Sequence, residues 1–471
     1  MDNQGLPLPA PRRVPPLDPQ FRPAVLANRA FRRDVEATAK PVPVGLALEQ
    51  SDGSVFRFPT AVLPGGHPRE AANAVYLERL VKFLLWSRGG FRVHVDGPPS
   101  LAASLAGHYA RTPTGQFDSE IIGRKIYDRP IEVVPSKRLP VEKSSTTPLG
   151  RNLDGCRIGF DLGGSDRKVA AVVEGKVVFS EETVWDPYPQ KDPQYHLDGI
   201  QDSLRKAAAH LPRVDAIGGS AAGCYVNNRV KVASLFRGVP PEIFDARVRE
   251  LFLDVRKAWK GVPLEVVNDG EVTALAGSMS LGKNAVLGLA LGTSTAGGWV
   301  NAEGNITTWL NELAFVPFDY HPDAPKDEWS GDYGCGAQYF SQQAVGRLLA
   351  PAGIALDAGL SLPEKLKAVQ GLMAEGDPRA QRIYETLGVY LGYGTAHLAD
   401  FYDCRHILVL GRVTSGPGGD VMIREARGVL ASEFPELASR IEFHMPDEKD
   451  KRHGQAIAAA SLPALRKEVA R

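Results

Sequence analysis

Short apolar runs that end in Gly-rich or small polar turns set the rhythm of this chain. "PVGLALEQSDGSVFRFPTAVL" alternates around an Asp-Gly pair and predicts two strands joined by a tight turn. "REAANAVYLERLVKFLLWS" has helical apolar spacing, "GGFRVHVDGPP" predicts a strand leaving a Gly-Gly break, and "PSLAASLAGHYA" a further helix. The charged, Pro-containing stretch "YDRPIEVVPSKRLPVEKSSTTPLGRN" reads as a linker. From Cys156 onward strand and helix alternate. "CRIGFDLGGSDRKVAAVVEGKVVFSEE" is strand, turn and strand, and "AIGGSAAGCYV" and "LEVVNDGEVTALAGSMSLG" are buried runs ending in small or polar residues. "AVLGLALGTSTAGGWVNAEGNITTW" repeats the strand–turn–strand form. "HILVLGRVTSGPGG" is one more buried strand, and "GQAIAAASLPALRKEV" closes as a helix. Alternation of this kind predicts an α/β fold.

The partition that follows is a Pro-rich tail over 1–22, read as lacking fixed structure, then an α+β region with its linker over 23–150. Two α/β bodies follow over 151–285 and 286–471, the C-terminal helix packing back on the first. No repeat of fixed period is present.

Composition adds mainly exclusions. With 471 residues, 43% hydrophobic and 23% charged, the chain is long enough for several domains with cores of their own. Lys plus Arg (55) equals Asp plus Glu (55), so no net field draws it to nucleic acid or an anionic membrane. Cys156, Cys224, Cys335 and Cys404 form no CxxC and read as reduced thiols. The segment "MDNQGLPLPAPRRVPP" lacks a signal peptide's apolar core, and no run reaches the ~18 apolar residues of a spanning helix. The expectation is a cytoplasmic protein with neither nucleic-acid nor membrane partner.

Two Gly-rich hairpins carry the candidate chemistry. In the first, Asp161 ends a strand, Gly163–Gly164 turn the backbone with φ > 0, and Ser165 adds a donor. Backbone N–H groups exposed in such a turn suit phosphate oxygens, and Asp161 suits Mg²⁺, directly or through water. A plain hairpin turn is the competing reading. The second hairpin offers Gly292, Thr293, Ser294, Gly297 and Gly298. Between them, Asn268–Asp269 sit at a strand end before a helix. There Asp269 either accepts a proton from a substrate hydroxyl or caps the helix. The pairing of two phosphate loops favours the first option. Neither GxxxxGK[ST] nor a strand-linked GxGxxG is present, which disfavours P-loop and dinucleotide folds.

"GFDLGGSDRKVAAVV", "VVNDGEVTALAG", "LALGTSTAGGWV" and "ILVLGRVTSGPGG" resemble, in order and rough spacing over about residues 156–465, the ROK family of sugar kinases and related repressors. That family belongs to the actin, hexokinase and heat-shock-chaperone ATPases. The resemblance implies a two-lobed, ribonuclease H-like, actin-like ATPase fold after an N-terminal α+β region, with ATP between the lobes. It implies phosphate contacts at Asp161, Gly163, Gly164, Ser165, Gly292, Thr293, Ser294 and Gly297, and an adenosine motif at Gly411. Asp269 matches the catalytic base, and Asn268 and Glu312 match sugar ligands. Two departures stand out. In "NELAFVPF" Phe315 replaces the family's His, and in "YGCGAQYFSQ" Cys335 is what remains of three zinc thiolates, too few for a closed site. No zinc site is expected. Arg412 replaces a Gly of the adenosine motif and faces either nucleotide or solvent.

The function expected is ATP- and Mg²⁺-dependent phosphorylation of a sugar or polyol hydroxyl. A sugar-sensing ROK-type regulator and a catalytically lapsed nucleotide-binding protein are the alternatives. Residues 23–140 carry no convincing helix-turn-helix or concentrated basic face, which weakens the regulator. For Arg111, Thr114, Asp118 and Arg129 a solvated loop is the expectation. Assembly stays open, a homodimer included.

Overall fold

The computed structural model describes residues 5–144, 148–445 and 451–465, with the backbone alone for 451–453. The chain divides into two compact units, one of residues 1–146, 290–296 and 309–443, the other of 147–289, 297–308 and 444–471.

The first unit opens with α1 (Ala24–Glu36), β1 (Val42–Glu49), β2 (Val55–Val62), α2 (Ala72–Arg88), β3 (Arg92–Asp96), α3 (Pro99–Arg111), α4 (Pro113–Asp118) and β4 (Glu132–Pro135). Its sheet runs β2-β1-β3-β4, antiparallel except for the parallel β3–β4 pair. β4 lies inside the stretch read as a linker. Four residues ending in Pro, between charged flanks, give little strand signal, and pairing with β3 supplies it. α2 is buried on nearly every side, charged residues included, so those charges need partners in the interior. The Pro-rich stretch is a further correction, since residues 5–22 pack on this unit. Phe21 is buried among Tyr339, Tyr390 and Tyr393, Leu17 N–H donates to Thr386 Oγ1 (3.2 Å), and Arg13 pairs with Glu425 (2.9 Å). Buried apolar anchors fix a segment that composition alone marks as loose.

The second unit contains β5 (Cys156–Leu162), β6 (Asp166–Val173), β7 (Lys176–Val184), α5 (Gln194–Ala208), β8 (Ala216–Ala221), β9 (Cys224–Val226) and β10 (Arg229–Val232). The one-turn α6 (Pro241–Ile243), α7 (Leu251–Ala258), β11 (Leu264–Asn268) and α8 (Asp269–Leu281) follow. Its five-stranded sheet has the order β11-β8-β5-β6-β7, parallel across the first three and antiparallel across the rest. Side-chain alternation splits this sheet's faces. Val169 and Ala171 join the core that includes Ile200 and Leu204 of α5, while Ala170 and Val172 meet Ala456 and Ala460 of the C-terminal helix. Bare backbone lets that helix approach: a Cβ at Gly159 or Gly218 would strike the carbonyls of Ala456 and Ala459.

β12 (Val286–Leu291) and β13 (Thr295–Val300) form a hairpin whose turn belongs to the first unit. α9 (Gln342–Leu348), α10 (Leu362–Ala374), α11 (Pro378–Ala399), β14 (His406–Leu410), α12 (Pro417–Glu433), α13 (Pro435–Ala438), β15 (Glu442–His444) and α14 (Lys451–Ala460) complete the chain. A further sheet runs β13-β12-β14-β15. Residues 23–146 share a compact unit with 309–443 and are not a body of their own.

Candidate functional site

The polar groups of the second unit gather where β5, β8 and β11 end. This is the carboxyl edge of three parallel strands, where open α/β sheets bind ligands. Register places Asp161 opposite Ser220 and Asn268 opposite Ala221. Ser220 Oγ donates to Asp161 Oδ1 at 2.6 Å, and the Lys168 ammonium lies 3.9 Å from Asp161 Oδ2 and 2.8 Å from Asp166 Oδ1. Burial raises the Asp161 carboxyl above its usual range, against the pull of Ser220 and Lys168.

At the start of α8 the two competing roles for Asp269 separate. Asn268 is the cap: its Oδ1 accepts the Gly270 N–H at 2.8 Å, and its Nδ2 donates to Gly223 O at 2.8 Å. The amide expected to bind a sugar is thus engaged at both ends by the protein. Asp269 is the first helical residue; its Oδ1 takes a 3.0 Å bond from Gly270 N–H, and no side chain donates to it among the described residues. Desolvation first, and the neighbouring Asp161 second, push its carboxyl up to about 6. A carboxylate poised near neutrality is the form a general base requires.

The first hairpin departs from expectation. Neither Gly163 nor Gly164 has positive φ. Gly163 N–H closes the turn on Asp166 O (2.9 Å), and Ser165 Oγ donates to Asp166 Oδ2 (2.8 Å). Glycine at 164 answers to packing, since a Cβ there would run into the Tyr188 hydroxyl. The Gly164 and Ser165 N–H groups bond to nothing among the described residues, which leaves two adjacent donors at the tip. In this unit Asp161, held by Ser220, is the carboxylate whose chemistry suits Mg²⁺, directly or through water. Ser220, Lys168 and Asp166 were missed in the sequence. The position of Ser220 at the end of an apolar run, like that of Asp161, was the available signal.

In the first unit, Gly292 N–H bonds Ser294 O (3.0 Å), and Thr293 and Ser294 are exposed at the second hairpin's tip. Gly297 does not belong to that turn; it is buried within β13. Gly411 (φ 102°) lies against the Leu291 backbone, so its lack of a side chain has a packing cause, and Arg412 is exposed. Glu312 N–H donates to Trp86 O (3.0 Å), and Phe315 packs on Trp86 with ring centroids 4.3 Å apart. Asp118, fully buried, and Thr114, half-buried, lie in α4, and Arg111, though exposed, ends α3, contrary to a solvated-loop reading; Arg129 is exposed. The Cys335 thiol is buried. Burial first, and Asp332 second, push it far above the range in which a thiolate forms.

These features define a mixed α/β protein with paired carboxylates at the carboxyl edge of a sheet. No family model and no curated sequence matches the chain. Among solved structures, a ROK hexokinase from Thermus thermophilus superposes with a TM-score of 0.50 at 19% identity, over 65% of this chain and 96% of that one. A ROK family glucokinase from Streptomyces griseus, in complex with glucose and AMPPNP, gives 0.48 at 22% identity over 65% and 98%. A ROK family transcriptional regulator, a homolog of the E. coli MLC protein, gives 0.49 at 20% over 66% and 79%. Over that 65% of its length the chain has the fold of the ROK hexokinase, and its resemblance to the ROK family holds in structure as well as in motif order. Among the described residues no helix is long and apolar enough to cross a membrane.

Proposed function

We propose that this protein is an ATP- and Mg²⁺-dependent kinase acting on a hydroxyl of a sugar or polyol. The observation that carries the proposal is Asp269, desolvated, raised to about 6 and not spent as the helix cap. The fold shared with a hexokinase supports it.

In this reading Asp269 takes the proton of the attacking hydroxyl, and Glu312 orients the acceptor. Asn268 acts by holding Asp269 at the helix start through its bonds to Gly270 and Gly223. Asp161, fixed by Ser220, holds the metal side of the nucleotide, with Lys168 near the same charge. Gly163, Gly164 and Ser165 in one turn, with Gly292, Thr293 and Ser294 in the other, receive the phosphates. Gly411 borders the adenosine. Bound Mg·ATP supplies the phosphoryl group, and its metal neutralises the charge that develops during transfer. The protein's contribution is mostly positioning and charge.

The test is purified protein with Mg·ATP in a coupled assay for ADP against a sugar and polyol panel. Acceptor-dependent ADP release is the expected result. A sugar that binds without turnover would favour the regulator or lapsed reading.

A further inference from the structure

We propose that the N-terminal region serves the acceptor site, with Trp86 of α2 as the positioning residue for Glu312. This inference rests on the kinase reading and assigns a role to a region that the family motifs leave unexplained.

A helix leaves its last four carbonyls without intrahelical partners. In α2 two of these are taken by one incoming segment. Ser87 O accepts Asn311 N–H and Trp86 O accepts Glu312 N–H, both at 3.0 Å. Asn311 is in the left-handed region (φ 49°), and its Oδ1 takes the Tyr402 hydroxyl at 2.6 Å, so the bend before Glu312 is fixed from both sides. Three residues on, Phe315 lies against the Trp86 ring. The segment Glu312–Phe315 is therefore held at both ends by one residue, by its carbonyl and by its indole.

Trp86 is itself anchored. Its Nε1–H donates to Asp118 Oδ1 at 2.9 Å, and Asp118 also takes the Lys82 ammonium at 3.1 Å. Lys82 and Arg79 each reach Asp332 at 3.0 Å, three residues before Cys335. In place of a set of thiolates around a metal, the loop that precedes Cys335 meets two buried cations from α2. Helix, loop and acceptor segment share one polar interior, all within the first unit.

The experiment uses the full chain with Trp86→Phe, which keeps a ring but loses the indole N–H, and Trp86→Leu, which loses both. Amide hydrogen exchange and steady-state kinetics are read together. Expected is exchange at Asn311 and Glu312 that quickens from wild type to Phe to Leu, by ~10-fold or more in the last, while β5 amides keep wild-type protection. The KM for the acceptor should rise ~10-fold or more, with the KM for ATP moving less than about threefold. Unchanged exchange at Asn311 and Glu312 in both variants would overturn the proposal. So would acceptor and ATP KM values rising together. If the wild type turns over no acceptor, the kinase reading fails, and the exchange pattern alone decides whether Trp86 positions Glu312. Should Trp86→Leu not fold, Trp86→Phe carries the comparison.

Discussion

Asp269 is ordinary in sequence and unusual in place. An unfolded Asp titrates near 4 (about 3.9); here the carboxyl is raised to about 6, so the fold favours its protonated form. Its ionisation therefore costs stability as pH rises through roughly 4 to 6, while catalysis needs the ionised form. Acceptor kcat/KM should rise with pH along a limb centred near 6, and that limb should vanish in Asp269→Asn. At pH 7 the variant should melt no lower than wild type, because the strained charge is gone. A pH–rate profile and a thermal melt check both. What the sequence left undecided here was cap against base. Both readings fit "VVNDGEV", and in the folded chain Asn268 takes the cap. Gly164 carries a similar lesson, since "GG" suggested a left-handed turn and the requirement is room for Tyr188. A Gly164→Val variant would thus disturb packing as well as any phosphate contact. Thr293→Ala, at an exposed tip, isolates the phosphate question better.

Strands and hairpins were legible wherever side chains alternate, because one face of β6 meets α5's core and the other meets α14. The need for glycine at 159 and 218 was not legible, for it arises from a helix at the far end of the chain. Gly218→Ala would set a methyl group against the Ala459 carbonyl and force strand and helix apart. Overpacking of this kind typically costs ~1–3 kcal/mol, and denaturant melts should show that loss. α2 was likewise recognisable as a helix, yet its buried cations gave no sign of their partners. Arg79 and Asp332 stand 253 positions apart, a pairing that no local pattern encodes.

For the whole molecule, the order of motifs foretold an α/β fold of the ROK type, and the solved hexokinase shares that fold. The N-terminal arm was misjudged because composition weighs Pro heavily and isolated anchors such as Phe21 lightly. The same limit hid how residues 23–146 combine with 309–443. The loop before Cys335 is tied through Asp332 to Lys82 and Arg79, and its one buried thiol is too few for a structural zinc. Elemental analysis of protein purified without chelator should therefore find no zinc that depends on Cys335, and zinc held by the wild type but lost in Cys335→Ser would refute this.

In the proposed mechanism a carboxylate at the start of α8, Asp269, removes a proton from a sugar or polyol hydroxyl. The most direct measurement is turnover of an accepted substrate by Asp269→Asn, with ATP affinity measured alongside by calorimetry. Loss of a general base costs ~10²–10⁴-fold in rate, so kcat should fall by about that factor while ATP binds as in wild type. Near wild-type turnover in the variant would contradict the account.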